Sequence, residues 1–179
     1  MKKHLFFTGE KGIGKSTLVK NILCRCAQPY HGFFTVRMNG IIAESLSVHL
    51  LRVLNGTAEA PSEENLLFLC GQHTLRDPSR FDLLGCDALC DIPIAPPNVA
   101  RIVMDELGPN EGEAHDFQES VRSVLDHPST SVIGVLQKAP SPFLDEIASR
   151  KDVVLLTVTS ENRDSLAKSE AVIRWMTHN

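Results

Sequence analysis

The sequence predicts an α/β fold, a mostly parallel sheet with flanking helices and a small β-hairpin insertion, on three observations. A short apolar run at residues 4–8 (HLFFT) stops at a glycine-rich loop that leads into an amphipathic helix. Three further apolar runs, at 102–104, 131–136 and 153–158, alternate with helical stripes. The 179 residues, 42% of them hydrophobic, suffice for one compact core. No internal repeat or low-complexity tract divides them, so the chain reads as a single domain of residues 1–179.

The elements follow in order. Residues 4–8 read as a buried strand. Leu18, Val19, Ile22 and Leu23 mark one face of a helix over 15–26, closed by Pro29. Residues 32–37 (GFFTVR), rich in β-branched and aromatic side chains, read as a strand, with Asn39-Gly40 as a hairpin turn. Residues 41–54 fit two patterns: parts alternate like a strand, whereas Leu46, Leu50, Val53 and Leu54 suit a helix. A polar loop spans 56–64, and 66–70 is compatible with a strand. Residues 71–97 contain Pro78, Pro93, Pro96 and Pro97 and read as largely irregular, a middle stretch inserted on the domain.

Order returns at Ala100. Residues 102–104 form a buried strand that ends in Asp105-Glu106, and Phe117, Val121, Val124 and Leu125 mark a helix. Residues 131–136 are a strand, Pro142 opens a helix over 143–149, and 153–158 is the last strand. A terminal helix begins at Asn162, with Leu166, Val172, Ile173 and Met176 expected in the core.

A formal net charge of -4 with scattered basic residues argues against a nucleic-acid partner and an acidic membrane surface. No stretch approaches the length of a membrane span, and the apolar patch at 5–7 is too short for a signal peptide, so the expected location is cytoplasmic. The five cysteines, Cys24, Cys26, Cys70, Cys86 and Cys90, are expected to be reduced, buried thiols that pack as small hydrophobes. Cys86 and Cys90 share a helical face, but only His73 lies near them, too few ligands for zinc.

The segment Gly9-Glu10-Lys11-Gly12-Ile13-Gly14-Lys15-Ser16-Thr17 satisfies G-x-x-x-x-G-K-[ST], and the strand before it and helix after it supply the context the motif requires. Glycines let backbone amides turn inward around a phosphate, and the opening helix adds unpaired amides and a partial positive charge. Lys15 is placed to reach β- and γ-phosphates, and Ser16 to ligate Mg²⁺. Asp105, ending an apolar strand, is the matching acid for Mg²⁺. Glu106 beside it is the candidate catalytic base, orienting water for in-line attack on the γ-phosphate.

With GEKGIGKSTL near the start, GFFTVR at Gly32, VMDELG at Val103 and VTSENRDSL at Val158, the chain resembles the cancer-related nucleoside-triphosphatases and their thermophilic counterparts over nearly its whole length. The resemblance implies a three-layer, RecA-like P-loop NTPase fold and Mg²⁺-dependent hydrolysis of nucleoside triphosphates, ATP, GTP or others, to diphosphates and phosphate with loose base preference. The chain departs from the family after Gly108, where Pro109-Asn110-Glu111-Gly112 keeps only the glutamate of the usual continuation. The hairpin segment 36–42 also reads as short, and 56–97 matches poorly.

Four further residues are candidates. Arg37 follows the GFFT strand and either stabilises charge on the γ-phosphate or is a solvated strand residue. Gln137, with Lys138 after it, ends the strand following the acidic one, at the edge where such sheets bind ligands. The resemblance favours Asn162 and Arg163 as nucleotide contacts, the guanidinium stacking on any base; the alternative is capping and pairing within the last helix. Two other functions remain open at this level. One is a nucleotide or small-molecule kinase, with residues 76–80 (RDPSR) as a lid; the other is a regulatory nucleotide-binding protein with low turnover. The sequence does not choose an oligomeric state.

Overall fold

The computed structural model describes residues 3–42, 45–70, 77–90, 92 and 99–177. Five strands form a parallel core: β1 (His4–Thr8), β2 (Tyr30–Ile42), β6 (Ala100–Leu107), β7 (Thr130–Leu136) and β8 (Val153–Thr157), in the order β2-β6-β7-β1-β8. Three antiparallel strands extend it beyond β2: β3 (Ser45–Leu54), β4 (Thr57–Ala58) and β5 (Leu66–Cys70). One strand, β7, thus separates the strand that precedes the phosphate loop from the strand that ends in the acids.

The alternation of side chains across each strand builds three layers. Leu5 and Phe7 of β1, Val103 of β6 and Ile133 and Val135 of β7 face α1 (Lys15–Leu23) and the last helix. Phe6, Ile102, Met104, Val132 and Leu136 face the opposite layer, made of α2 (Pro78–Cys90), α3 (His115–Asp126) and α4 (Pro142–Ser149). All seven residues of β7 are buried, as a central parallel strand covered on both faces requires. The expected α/β fold is therefore present, with its strands and helices at both ends of the chain where the apolar runs put them.

The middle differs from expectation. Asn39-Gly40 is not a turn: β2 runs on to Ile42, Asn39 pairs with Leu46 and Ile42 with Ser45, and the register shifts between them. A long antiparallel partnership overrides the local turn preference and absorbs the irregularity as a bulge. The ambiguous 41–54 region is accordingly a strand, and the hairpin is long rather than short. Only Tyr30 to Phe34 pairs with β6, so the outer half of the hairpin continues past the carboxyl end of the sheet and overhangs it.

The stretch expected to be irregular contains α2, whose Phe81, Gly85, Ala88 and Leu89 form a buried helical face. Pro78 sits at its start, where a missing N–H costs nothing. Pro93, Pro96, Pro97 and His73 lie outside the described residues. Gly85 admits the ring of Phe117: a Cβ there would lie 2.3 Å from Phe117 Cδ2. The Gly85→Ala variant is expected to lose about 1–3 kcal/mol of stability by overpacking, read from a thermal melt.

The terminal helix is also two pieces, α5 (Arg163–Leu166) and α6 (Glu170–Thr177). The break turns α6 so that Val172 and Trp175 are buried while Ile173 is 50% exposed; Leu166 and Met176 are half-buried. Buried Arg101 holds this helix, donating hydrogen bonds to the carbonyls of Trp175 and Met176 and lying 4.7 Å from the Trp175 ring centre. The cysteines are free: Cys24 and Cys90 are exposed, against expectation, whereas Cys26, Cys70 and Cys86 are half-buried and pack against the core. Among the described residues no helix is long and apolar enough to cross a membrane.

Candidate active site

The loop of residues 9–17 leaves β1 at the carboxyl edge of the sheet. Gly9 is packed so closely against the end of β8 that a Cβ would meet the Val158 carbonyl oxygen at 2.4 Å, and its φ of 139° suits only glycine. Gly12 and Gly14, at φ 79° and 103°, turn the chain back into α1, with the Ile13 N–H donating to the Glu10 carbonyl at 3.3 Å. The Lys15 ammonium is buried and donates to the carbonyls of Gly9 and Glu10, both at 2.9 Å. A cation is thus held within the loop, at the amino end of a helix whose own dipole favours an anion.

Ser16, in the first turn of α1, donates its hydroxyl to Asp105 Oδ1 at 2.9 Å. Asp105 is 1% exposed, and its Oδ2 is buried with no hydrogen-bond partner. Burial pushes its carboxyl up to about 7, reinforced by the Glu106 charge and opposed by the Ser16 hydrogen bond and by Lys20 and Lys15. An unpartnered buried carboxylate oxygen is costly unless a cation meets it. A serine hydroxyl and one carboxylate are hard oxygen donors, the set expected for a Mg²⁺ that completes its shell with water and phosphate.

Glu106 stands half-buried at the wall of a cleft of about 370 Å³ whose lining includes Gly9, Glu10, Lys11, Lys15, Arg37, Asn110, Gln137 and Lys138. Its N–H donates to Thr35 Oγ1 at 3.3 Å. A second cleft of about 350 Å³ adjoins the first through Lys11, Lys15, Arg37 and Glu106 and extends over Gly12, Gly14, Ser16, Thr17 and Thr35. The overhanging part of β2 brings Arg37 to both clefts. Gln137 follows β7, its N–H donating to the Leu107 carbonyl at 2.8 Å, and its side chain lies where a Gly108 Cβ would be.

The structure therefore gathers Lys15, Ser16, Asp105, Glu106, Arg37 and Gln137 at one sheet edge. Ile13 instead packs against the core, where Glu10 and Lys11 are exposed. Arg163 lines a neighbouring cleft of about 340 Å³ with Ile13, Gly14, Thr17 and Asn21, and Gly14 and Thr17 also line the second cleft. Asn162 does not line it: its Oδ1 accepts from the Thr159 N–H at 2.8 Å and its Nδ2 donates to the Thr157 carbonyl at 2.9 Å, so the side chain shapes the turn after β8. That geometry reflects local asparagine turn chemistry, which spacing alone does not separate from ligand contact.

Three contributors went unread in the sequence: Thr35, Asn110 and Glu111. Glu111 is buried and its Oε2 accepts from the Gly108 N–H at 3.0 Å, so the one glutamate kept after Gly108 fastens the turn that follows the acids. Arg80, part of the lid that the kinase alternative would use, donates instead to the carbonyls of Glu64 and Leu66 and belongs to the packing of α2 on β5. Arg76 lies outside the described residues.

A family profile described as NTPase matches residues 91–170. The bovine cancer-related nucleoside-triphosphatase homolog (Bos taurus) is 31% identical over 182 residues, 93% of each chain. The chain belongs to this nucleoside-triphosphatase family. The human cancer-related nucleoside-triphosphatase is 30% identical with the same coverage. The solution structure of a human cancer-related nucleoside triphosphatase superposes with a TM-score of 0.74 at 25% identity, covering 99% of this chain and 100% of that one. The crystal structure of THEP1 from the hyperthermophile Aquifex aeolicus shares the fold at a TM-score of 0.70 and 22% identity, with 92% and 95% coverage. Gln137 follows β7, the strand between β1 and β6, and so lies between the phosphate loop and the acids.

Proposed function

We propose that this chain, as a single domain in the cytoplasm, hydrolyses nucleoside triphosphates to diphosphates and phosphate with Mg²⁺ and with loose base preference. The observation that carries the reading is the Ser16–Asp105 contact, with its unpartnered carboxylate oxygen, directly beside Glu106 and the loop that holds Lys15.

In this reading the amides of residues 9–17 enclose the β-phosphate, and the Lys15 ammonium exchanges its two loop carbonyls for β- and γ-oxygens. Ser16 and Asp105 would hold Mg²⁺, which supplies charge neutralisation across the same phosphates. Glu106 accepts a proton as water attacks the γ-phosphorus in line and the bond to the β-phosphate oxygen breaks. Arg37, from the hairpin, and Gln137, from the end of β7, face the equatorial oxygens where charge develops. The nucleoside extends into the cleft beside α1. There the exposed Arg163 guanidinium offers a flat face to stack on, which discriminates little among bases.

Phosphate release from ATP, GTP, CTP and UTP, compared between the native chain and Lys15→Ala, tests the reading. Lys15→Ala is expected to lose binding and turnover together, because one buried charge-assisted contact made in both ground and transition states is removed. Calorimetry with Mg²⁺ that finds no uptake of any of the four by folded native chain would overturn it.

A further inference from the structure

At the mouth of the larger cleft, Lys138 Nζ donates to Glu10 Oε1 at 2.7 Å, an ion pair between residues 128 positions apart. Glu10 belongs to the phosphate loop and Lys138 to the segment after β7, so the pair bridges two of the four segments that line the cleft; Glu106 and Asn110 stand on the third and Arg37 on the fourth. Both side chains are exposed, at 67% for Lys138 and 76% for Glu10. An exposed pair of this kind is held weakly against water and salt, so either partner exchanges readily for a stronger counter-charge.

We propose that Lys138 is a cation for the terminal phosphate, restrained by Glu10 until a triphosphate enters the cleft. The proposal rests on the hydrolase reading above and assigns a further substrate contact within it. Lys15 reaches the cleft from the loop, and Arg37 from the hairpin. Lys138 enters from the end of β7, the strand between them. The last phosphate, beyond the loop toward Glu106, lies nearest that strand end. A γ-phosphate presents up to two charges and three oxygens, against the single carboxylate of Glu10. A diphosphate ends inside the loop, short of Lys138, and leaves the Glu10 pair in place. Glu10 has a second consequence: its carboxylate sits in an anion site and, with Lys138 paired, part of its repulsion toward substrate is cancelled.

Calorimetry of ATP and ADP, each with Mg²⁺, on the native chain, Lys138→Met and Glu10→Gln tests this. Lys138→Met is expected to weaken ATP about tenfold, the size of one charge-assisted contact, while leaving ADP within about twofold. Glu10→Gln, which frees Lys138 and removes a like charge, is expected to tighten ATP several-fold. Lys138→Arg should restore most of the discrimination between ATP and ADP. An unchanged ATP-to-ADP affinity ratio in Lys138→Met, or weaker ATP binding by Glu10→Gln, would overturn the proposal while leaving the hydrolase reading intact. Failure of the native chain to bind either nucleotide would overturn both.

Discussion

Glu106→Gln is expected to bind nucleoside triphosphate as the native chain does and to release phosphate about 10²–10⁴ times more slowly, the usual contribution of a positioned general base. Glutamine keeps the size and shape of the side chain and leaves the backbone N–H that donates to Thr35 Oγ1 in place. What it lacks is a carboxylate able to take the proton of the attacking water. Removing an interaction used only in the transition state lowers turnover without weakening the ground-state complex. Lys15→Ala, by contrast, acts on both. Single-turnover quench measurements beside calorimetry separate the two classes, and an unaltered melting temperature excludes misfolding as the cause. Undiminished phosphate release by Glu106→Gln would remove that residue from the mechanism.

The parts of this site legible in the sequence are those in which local pattern and chemistry agree. Leu18, Val19, Ile22 and Leu23 repeat at helical spacing directly after the glycine loop, and all four are buried in α1. Asp105 ends an apolar run, and its 89-residue separation from Ser16 is bridged because both lie at one sheet edge. Illegible parts depend on partners far away in the chain. Asn39-Gly40 carries a strong turn signal, yet pairing along β3 governs it. The face of α2 is set by Phe117, a residue of α3 that occupies the space above Gly85. Trp175 owes its burial partly to Arg101, 74 residues earlier, so counting apolar residues along the terminal segment picks Ile173 instead. Arg37 reaches the clefts only because the hairpin outruns β6, a property of strand lengths that no motif encodes.

Asp105→Asn should change the pH dependence of stability more than any other single substitution in the site. In the metal-free chain, burial first and then Glu106 raise the Asp105 carboxyl from 3.8 to about 7. The folded state then binds more protons than the unfolded state between those values, so this residue lowers stability as pH rises through the window. The full effect is on the order of 4 kcal/mol, reached above pH 7 and absent below pH 4. His4 acts in the opposite sense. Burial, then the Lys3 charge, depress its ring from 6.5 to about 4. Its Nε2 lies 3.0 Å from the Leu125 carbonyl and its Nδ1 accepts from the Val132 N–H, which fixes the neutral ring; the 3.7 Å approach to Asp152 is then no ion pair. The unfolded state binds the extra proton here, so His4 lowers stability as pH falls from 6.5 to 4, on the order of 3 kcal/mol in full. In the native chain the two slopes oppose and largely cancel between about pH 4.5 and 6.5. Asparagine at 105 removes one of them and exposes the other. Its new amide leaves a polar group short of a partner, but that cost does not vary with pH. Denaturant unfolding in chelator is therefore expected to show stability of the variant, relative to native, growing by on the order of 4 kcal/mol from pH 4 to pH 8. A difference that stays flat across that range would mean that Asp105 ionises as readily in the fold as in water, and the argument for a cation facing its unpartnered oxygen would lose its electrostatic basis.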